Sequence, residues 1–207
     1  MTVPNQVLAA TGNKNKLKEL QTVAQEFGCM ILSPQQIRDE RKLGPWPDVE
    51  ENAPTFRENA LLKAREFHKW SGCPTIGDDS GIEVAALDGR PGIHSARYAG
   101  PGASDADRIN KLLEELRAAI EADPMLSRAA QFRCALALVI DEVSVVESEG
   151  ILSGHILDAP RGDKGFGYDP ILYLDAIGST LAEVEFSVTC EKGFRAVAAR
   201  NLFAKLK

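Results

Sequence analysis

Two adjacent carboxylates, Asp78 and Asp79, stand in the part of the sequence with the strongest chemical character. Ser80 follows them, and Gly77 and Gly81 flank the group. Carboxylate oxygens bind hard cations such as Mg²⁺, and one or two carboxylates are enough when phosphates and water supply the other ligands. Asp, Ser and Gly are also the usual residues of turns, so a plain polar turn is the alternative interpretation.

A second glycine-rich segment and a cation follow the acidic group. Gly89–Ile93 is rich in Gly and Pro, and Ser95–Tyr98 then supplies Arg97 and an aromatic ring. Acidic side chains, a glycine-rich backbone and Arg together favour a metal–phosphate ligand over a solvent-exposed loop.

A turn rich in Gly, Asn and Lys lies near the start of the chain, between a predicted strand and a predicted helix. Such a layout directs free backbone N–H groups at an anion. The P-loop pattern is absent, so this turn is not a P-loop. Its Thr, Asn and two Lys residues could still donate to a phosphate. An ordinary turn with solvated lysines is the alternative that the residues leave open. The turn comprises Thr11, Gly12, Asn13, Lys14, Asn15 and Lys16.

Aromatic rings mark a third segment, formed by Phe166, Gly167, Tyr168 and Asp169. The rings could stack on a planar base and the acid could accept hydrogen bonds from ring N–H groups. Packing of the rings into the core at the start of a strand is the alternative. Glu50 and Glu51 form one further acidic pair, which composition alone assigns to the solvated surface.

The elements that must position these residues follow from hydrophobic periodicity. Predicted strands are Gln6–Ala10, Met30–Leu32, Cys73–Ile76 ending at Gly77, and a hairpin of Gln131–Ile140 with Val143–Glu149 that continues into a third strand, Gly150–Leu157. Predicted helices are Leu17–Phe27 ended by Gly28, Thr55–Ser71 with a capping box of Thr55 and Glu58, Ser104–Glu121, and Gly193–Lys207. The polar stretch Arg38–Glu51 contains Pro45 and Pro47 and is predicted to be a loop or lid.

Composition sets the broad class. The chain has 207 residues, 44% hydrophobic and 26% charged, which suits one sizeable α/β domain or two intimate lobes. A net charge of −6 and a pI of about 5.2 give no overall attraction to nucleic acid or membrane. The four cysteines have no metal or disulfide spacing and are expected to be free thiols. With neither a leader segment nor a long apolar run, we expect a cytoplasmic protein.

Four blocks occur in order along the chain: Ala10–Lys16, Thr55–Ala64, Asp78–Gly81 with Arg90–Tyr98, and Gly165–Pro170. Together they resemble the inosine/xanthosine triphosphate pyrophosphatases, which remove non-canonical purine nucleotides. The resemblance implies an α/β fold with two lobes around an elongated mixed sheet, a substrate cleft between the lobes and a homodimer. It implies one pyrophosphatase domain over residues 1–207 and Mg²⁺-dependent hydrolysis between the α and β phosphates of inosine, deoxyinosine and xanthosine triphosphates.

The resemblance also implies roles for single residues. Asp79 matches the catalytic proton acceptor and metal ligand. Glu50 lies at about the position of a further acid that binds the metal in the family, and the neighbouring Glu51 is the alternative ligand. Ser80 matches a substrate contact. Residues 11–16 match the phosphate-binding turn, and residues 166–169 match the base-binding segment.

The C-terminal segment departs from the family pattern of a Lys followed by Ser-His-Arg. Arg195 is retained as a substrate contact, but Gly193 and Phe194 replace Ser and His, and Thr189 stands near the Lys position. Lys192 is a possible substitute. A His in this position can form hydrogen bonds that recognise the 6-keto group of a purine, and a Phe cannot. The departure therefore bears on the selectivity for the base. Two alternatives to the main hypothesis therefore stand: the same hydrolysis with altered or relaxed base selectivity, and a catalytically quiet nucleotide-binding protein.

Overall fold

Seven strands form a mixed sheet in the order β2-β1-β3-β4-β5-β6-β7 in the computed structural model, which describes residues 2–206. β1 pairs in parallel with β2 and β3, whereas β6 pairs antiparallel with β5 and β7. The predicted α/β class with a mixed sheet is confirmed. The strands are β1 Gln6–Ala9, β2 Met30–Leu32, β3 Thr75–Val84, β4 Ala129–Val139, β5 Val145–Ile156, β6 Leu172–Leu174 and β7 Ser179–Thr180.

Six α-helices and two short 3-10 helices complete the regular structure of residues 2–206. None of these helices is long and apolar enough to cross a membrane. The 3-10 helices cover Ala85–Leu87 and Gly92–Arg97. The α-helices are α1 Lys14–Gln25, α2 Pro34–Arg41, α3 Phe56–Ser71, α4 Asp105–Ala122, α5 Phe186–Lys192 and α6 Phe194–Ala204.

The chain divides into two compact units. Unit 1 contains residues 2–79, 134–150 and 195–206, and unit 2 contains residues 80–133 and 151–194. The division falls within β3, β4 and β5, so each of these long strands contributes residues to both units.

Unit 1 is built on a hydrophobic cluster that joins strands β1 and β2 to helices α2 and α3. Leu8 and Leu32 come from the strands, and Ile37 and Phe67 from the helices. Helix α3 begins as predicted at Thr55, whose hydroxyl accepts the N–H of Glu58, and ends at Gly72 in the left-handed conformation. This packing fixes α3 beside the sheet.

Strand β3 corrects the prediction that the chain turns at Gly77. The strand continues from Thr75 to Val84, so Asp78, Asp79 and Ser80 belong to a strand and not to a turn. A Cβ atom on Gly77 would overlap the backbone carbonyl oxygen of Ala60 in α3. The glycine therefore permits close approach of helix and strand, and tertiary partners for the acids override their turn preference.

Three further predictions need correction. Residues 38–41 of the predicted loop belong to helix α2, which begins with a capping box of Ser33 and Gln36 and with Pro34. The two strands predicted at 143–149 and 150–157 are one strand, β5, because Gly150 lies inside it. The predicted C-terminal helix is preceded by a helix that we did not predict, α5, which ends at Gly193.

Candidate functional site

Asp78 and Asp79 have different partners because successive residues of a strand point to opposite faces of the sheet. Both carboxylates are buried. Lys16 Nζ lies 2.6 Å from Asp78 Oδ1, and Arg195 Nε donates to Asp78 Oδ2 at 2.6 Å. Asp78 therefore links the predicted phosphate turn in α1 to the retained arginine of α6.

Asp78 is part of a buried ion cluster in unit 1. Arg195 Nη1 also donates to Glu19 Oε2 at 2.9 Å, and Arg195 is only 1% exposed. Burial alone would raise the pKa of Asp78, but the charges of Arg195 and Lys16 outweigh it and hold that pKa well below its usual range. Burial raises the pKa of Glu19, and Arg195 offsets part of this rise. The cluster depends on Arg195 as its central cation.

Asp79 is held by two side chains of helix α3. Asn59 Nδ2 donates to Asp79 Oδ2 at 3.1 Å, and Lys63 Nζ lies 3.7 Å from Asp79 Oδ1. Lys63 also contacts Glu51 Oε2 at 2.5 Å. Burial raises the pKa of Asp79 to about 6, Lys63 acts against this rise, and the negative charge of Glu51 adds to it. A carboxylate with such a pKa can accept a proton and is still ionised at neutral pH.

Asn59 and Lys63 were not singled out from the sequence. They lie one helical turn apart and therefore on one face of α3. Asn59 is fully buried and also accepts the N–H of Ala53 through Oδ1 at 3.0 Å, which ties the segment after Glu51 to the helix. One signal was available: both polar residues adjoin Ala60 and Ala64 of the predicted apolar stripe, where an unpartnered polar side chain would be unfavourable.

The predicted phosphate turn follows β1, but only residues 11–13 lie outside the helix. Lys14, Asn15 and Lys16 form the first turn of α1, which begins three residues before the predicted Leu17 because Asn13 caps it. The side chain of Asn13 caps α1 and accepts the N–H groups of Asn15 and Lys16 at 2.9 and 3.2 Å. Asn13 N donates in turn to Thr11 Oγ1 at 3.1 Å. The expectation of free N–H groups is therefore wrong for Asn15 and Lys16, because the cap residue occupies both donors.

The lysines of this turn differ in their surroundings. Lys14 is exposed, as are Gly12, Asn13 and Asn15, whereas Lys16 reaches the buried Asp78. The ammonium group of Lys16 thus lies beside strand β3, which also contains Asp79. Lys14 is at the protein surface.

The acidic groups fit a hard divalent cation. Asp79 and Glu51 both lie within 4 Å of the one ammonium group of Lys63, and after burial the negative charge of Glu51 adds to the raised pKa of Asp79. Between residues 2 and 206, no three His, Cys, Asp or Glu side chains are grouped to hold a metal. Two carboxylate ligands leave the other positions to phosphates and water, as Mg²⁺ commonly requires. Glu50, the acid first assigned to the metal, is exposed.

Unit 2 contains the predicted aromatic segment and Ser80. Ser80 follows Asp79 in β3 and is half-buried, and Phe166 is likewise partly exposed. Tyr168 is buried and its hydroxyl donates to the carbonyl oxygen of Ser95 at 3.0 Å, so this ring has a structural role. Asp169 Oδ2 accepts the N–H of Phe166 at 2.9 Å.

The departures at the C-terminal segment have local physical reasons. A Cβ atom on Gly193 would overlap the carbonyl oxygen of Thr189, so this backbone does not admit a Ser. Phe194 is buried and stacks on Phe132 with ring centroids 4.8 Å apart. Lys192 is exposed at the end of α5. An aromatic contact thus occupies the position where the pattern predicts a hydrogen-bonding His.

Comparisons with known proteins show which family this chain resembles. The model of the Ham1 family matches residues 7–205. The dITP/XTP pyrophosphatase of Syntrophobacter fumaroxidans is 42% identical over 95% of this chain and 79% of that protein. That of Geobacillus kaustophilus is 43% identical over 86% of this chain and 83% of its own.

Solved structures give the same result. A HAM1 protein from Coxiella burnetii is similar with a TM-score of 0.85 and 36% identity, covering 98% of each chain. The Ham1 protein of Staphylococcus aureus follows with a TM-score of 0.80 and 33% identity over 97% of each chain.

Proposed function

Because the chain belongs to the Ham1 family, as the four sequence blocks predicted, we propose that it hydrolyses non-canonical purine nucleoside triphosphates. The substrates are inosine, deoxyinosine and xanthosine triphosphates, and the products are the nucleoside monophosphate and pyrophosphate. The observation that carries the proposal is the pair of adjacent buried acids in β3. Asp78 is bonded to Lys16 of the phosphate turn, and Asp79 is held as a carboxylate of raised pKa.

Asp79 is the proposed catalytic base. Its carboxylate accepts a proton from the attacking water, and a pKa of about 6 leaves it ionised yet basic enough at neutral pH. Asn59 and Lys63 orient the two carboxylate oxygens by the contacts described above. These contacts restrict the carboxylate to one arrangement before substrate binds.

Charged and polar groups of the same unit bind the triphosphate in this proposal. Lys14 and Lys16 contribute positive charge, and Thr11, Gly12, Asn13 and Asn15 form the turn around the phosphates. Arg195 is proposed to stabilise this arrangement through Asp78 and, as the resemblance implies, to contact the substrate. Ser80 is a further proposed substrate contact.

The proposed cofactor is Mg²⁺. Asp79 would hold it together with an acid of the 50–51 pair; Glu50 was the residue expected from the sequence, and the position of Glu51 beside Lys63 favours Glu51. Bound Mg²⁺ supplies charge neutralisation on the phosphates and a more acidic water.

Phe166, Gly167, Tyr168 and Asp169 form the proposed base-binding segment of unit 2. The partly exposed Phe166 ring is the surface on which the purine stacks. Tyr168 and Asp169 shape the segment through their contacts with Ser95 and Phe166.

We further propose that residues 1–207 act as a single functional domain, since three strands contribute to both units. A homodimer is proposed from the family resemblance. A cytoplasmic location is also proposed, because the four cysteines lack disulfide spacing, which is typical of proteins in reducing compartments.

The test is pyrophosphate release in the presence of Mg²⁺ from inosine, xanthosine, adenosine and guanosine triphosphates. We expect rapid release from the first two and little from the others. Asp79→Asn should reduce release by at least about a hundredfold with the fold retained, because general-base catalysis contributes that much or more. Near-normal turnover in this variant would refute the assignment.

A second candidate, the same hydrolysis with relaxed base selectivity, is favoured by one observation. Phe194 is packed on Phe132 and has no hydrogen-bonding group to read a purine edge. Similar release from all four triphosphates would support this candidate. Phe194→His should then increase the preference for inosine over adenosine triphosphate.

A further inference from the structure

A hydrogen bond joins the proposed base-binding segment to the start of helix α4. Gly167 N donates to Asp105 Oδ2 at 2.7 Å, although the two residues are 62 positions apart. Gly167 has a φ of 62°, a left-handed conformation that favours glycine. The residue between Phe166 and Tyr168 is therefore tied at its amide to a carboxylate from another element.

The Asp105 carboxylate is itself oriented. Its other oxygen, Oδ1, forms an ion pair with Arg108 one turn later in α4. Arg108 Nη1 also donates to the carbonyl oxygens of Ala96 and Ala103, each at 2.9 Å. Backbone groups thus fix the Arg108 side chain, and its ion pair with Asp105 restricts the Asp105 carboxylate to one orientation. The position of Asp105 at the first residue of α4 adds a favourable interaction with the helix dipole.

Other contacts hold the residues on either side of Gly167. The hydroxyl of Tyr168 is bonded to Ser95, and Asp169 bonds back to Phe166 within the same turn. Asp105 accepts the N–H of Gly167, the residue directly after Phe166. Displacement of Gly167 would rotate the peptide that carries the Phe166 ring.

We propose that Asp105 is a positioning residue for base recognition, which fixes Gly167 and thereby the Phe166 ring against which the purine stacks. The proposal rests on the proposed function of the segment as the base-binding site. Asp105 does not touch the phosphates in this account, so its loss should affect binding of the base and leave the chemical step intact.

The chain offers three informative variants. Asp105→Ala removes the acceptor for the Gly167 N–H. Asp105→Asn retains an acceptor oxygen without the charge. Asp107→Ala removes a carboxylate from the same helical turn, where Asp107 Oδ2 accepts the N–H of the N-cap residue Ser104. Asp107→Ala therefore controls for loss of helix stability.

Steady-state kinetics with inosine triphosphate separate these variants. In Asp105→Ala we expect KM to rise about tenfold, the usual effect of losing a charge-assisted hydrogen bond, with kcat within about twofold of wild type. Asp105→Asn should recover most of the affinity, and Asp107→Ala should leave KM within about twofold. A kcat that falls with unchanged KM in Asp105→Ala would overturn the proposal.

Binding of the two products gives a second readout. Inosine monophosphate carries the base and pyrophosphate does not, so calorimetry should show weaker binding of the monophosphate to Asp105→Ala and equal binding of pyrophosphate. Equal weakening of both products would indicate a general structural defect and would overturn the proposal.

Amide hydrogen exchange at Gly167 tests the anchor without any activity. Exchange measured by NMR should become faster in Asp105→Ala and stay slow in Asp105→Asn. Unchanged exchange in Asp105→Ala would refute the anchor even in an active enzyme. If the wild-type protein hydrolysed no purine triphosphate, the proposed function would fail, and the exchange result would still decide whether Asp105 fixes the segment.

Discussion

Replacing Asp79 with Asn should stabilise the metal-free protein while it abolishes activity. Asp79 is 6% exposed, and burial with the nearby charge of Glu51 raises its pKa from 3.8 to about 6 against the opposing effect of Lys63. A folded-state pKa above the unfolded value means that the folded protein binds the proton more tightly. Ionisation of Asp79 therefore lowers the stability of the folded state as pH rises from about 4 to 6.

The magnitude follows from the shift. A difference of about two pKa units corresponds to about 3 kcal/mol at 25 °C. Asn has no proton to lose, and its amide oxygen can still accept the hydrogen bond from Asn59. At pH 8 the variant should therefore be more stable than wild type by up to about 3 kcal/mol, and at pH 5 by about half of that value.

Urea unfolding in the presence of EDTA measures this difference. The free energy of unfolding should be compared at pH 8 and pH 5 for wild type, Asp79→Asn and Asp163→Asn. Asp163 is exposed and serves as a surface control with an expected change within about 0.5 kcal/mol. A variant no more stable than wild type at pH 8, or a gain equal at both pH values, would refute the reasoning. Added Mg²⁺ should stabilise the wild type more than the variant.

Three other changes test the site and its support. Arg195→Ala leaves Asp78 and Glu19 buried without their shared cation and should cost about 3–5 kcal/mol in urea unfolding; a loss below about 1 kcal/mol would contradict the central role of Arg195. Gly77→Ala forces a Cβ atom against the Ala60 carbonyl and should lower the melting temperature by several degrees, whereas Gly44→Ala, which meets open space, should not. Phe132→Ala removes the ring stacked on Phe194 and should cost about 3–5 kcal/mol; unchanged stability would show that this pair does not pack as described.

Much of the framework was predictable because local patterns and tertiary packing agree. Helix α3 has a capping residue, an apolar stripe and a terminal glycine, and its predicted bounds match the structure. The strand–turn–helix order from Gln6 to Gln25 was predicted from apolar periodicity, which identified the elements but not the bounds of the helix. Helix α1 begins at Lys14 because Asn13 caps it, a contact that periodicity does not show.

The central strand was mispredicted because its residues prefer turns. The acids can continue β3 because cations compensate them: Lys16 and Arg195 pair with Asp78, and Lys63 lies beside Asp79. Lys16 and Arg195 lie 62 and 117 positions from Asp78, a separation that periodicity cannot predict. The approach of β3 to α3 through Gly77 depends likewise on tertiary packing.

Site residues were predictable to the extent that they belong to recognisable blocks. Asp79 and the phosphate turn were identified in this way, and their functional roles remain predictions. Asn59 and Lys63 belong to the block Thr55–Ala64. The apolar stripe of a predicted helix accounted for that block, so these two polar residues were not assigned to the site. Their role emerged only when the fold brought α3 beside Asp79.

The central claim is that this site cleaves a nucleoside triphosphate between its α and β phosphates with Asp79 as the base. ³¹P NMR of inosine triphosphate incubated with the protein and Mg²⁺ tests this most directly. The account predicts that signals of the monophosphate and pyrophosphate appear together and fail to appear with Asp79→Asn. Formation of inosine diphosphate and inorganic phosphate, or unchanged products with Asp79→Asn, would contradict it.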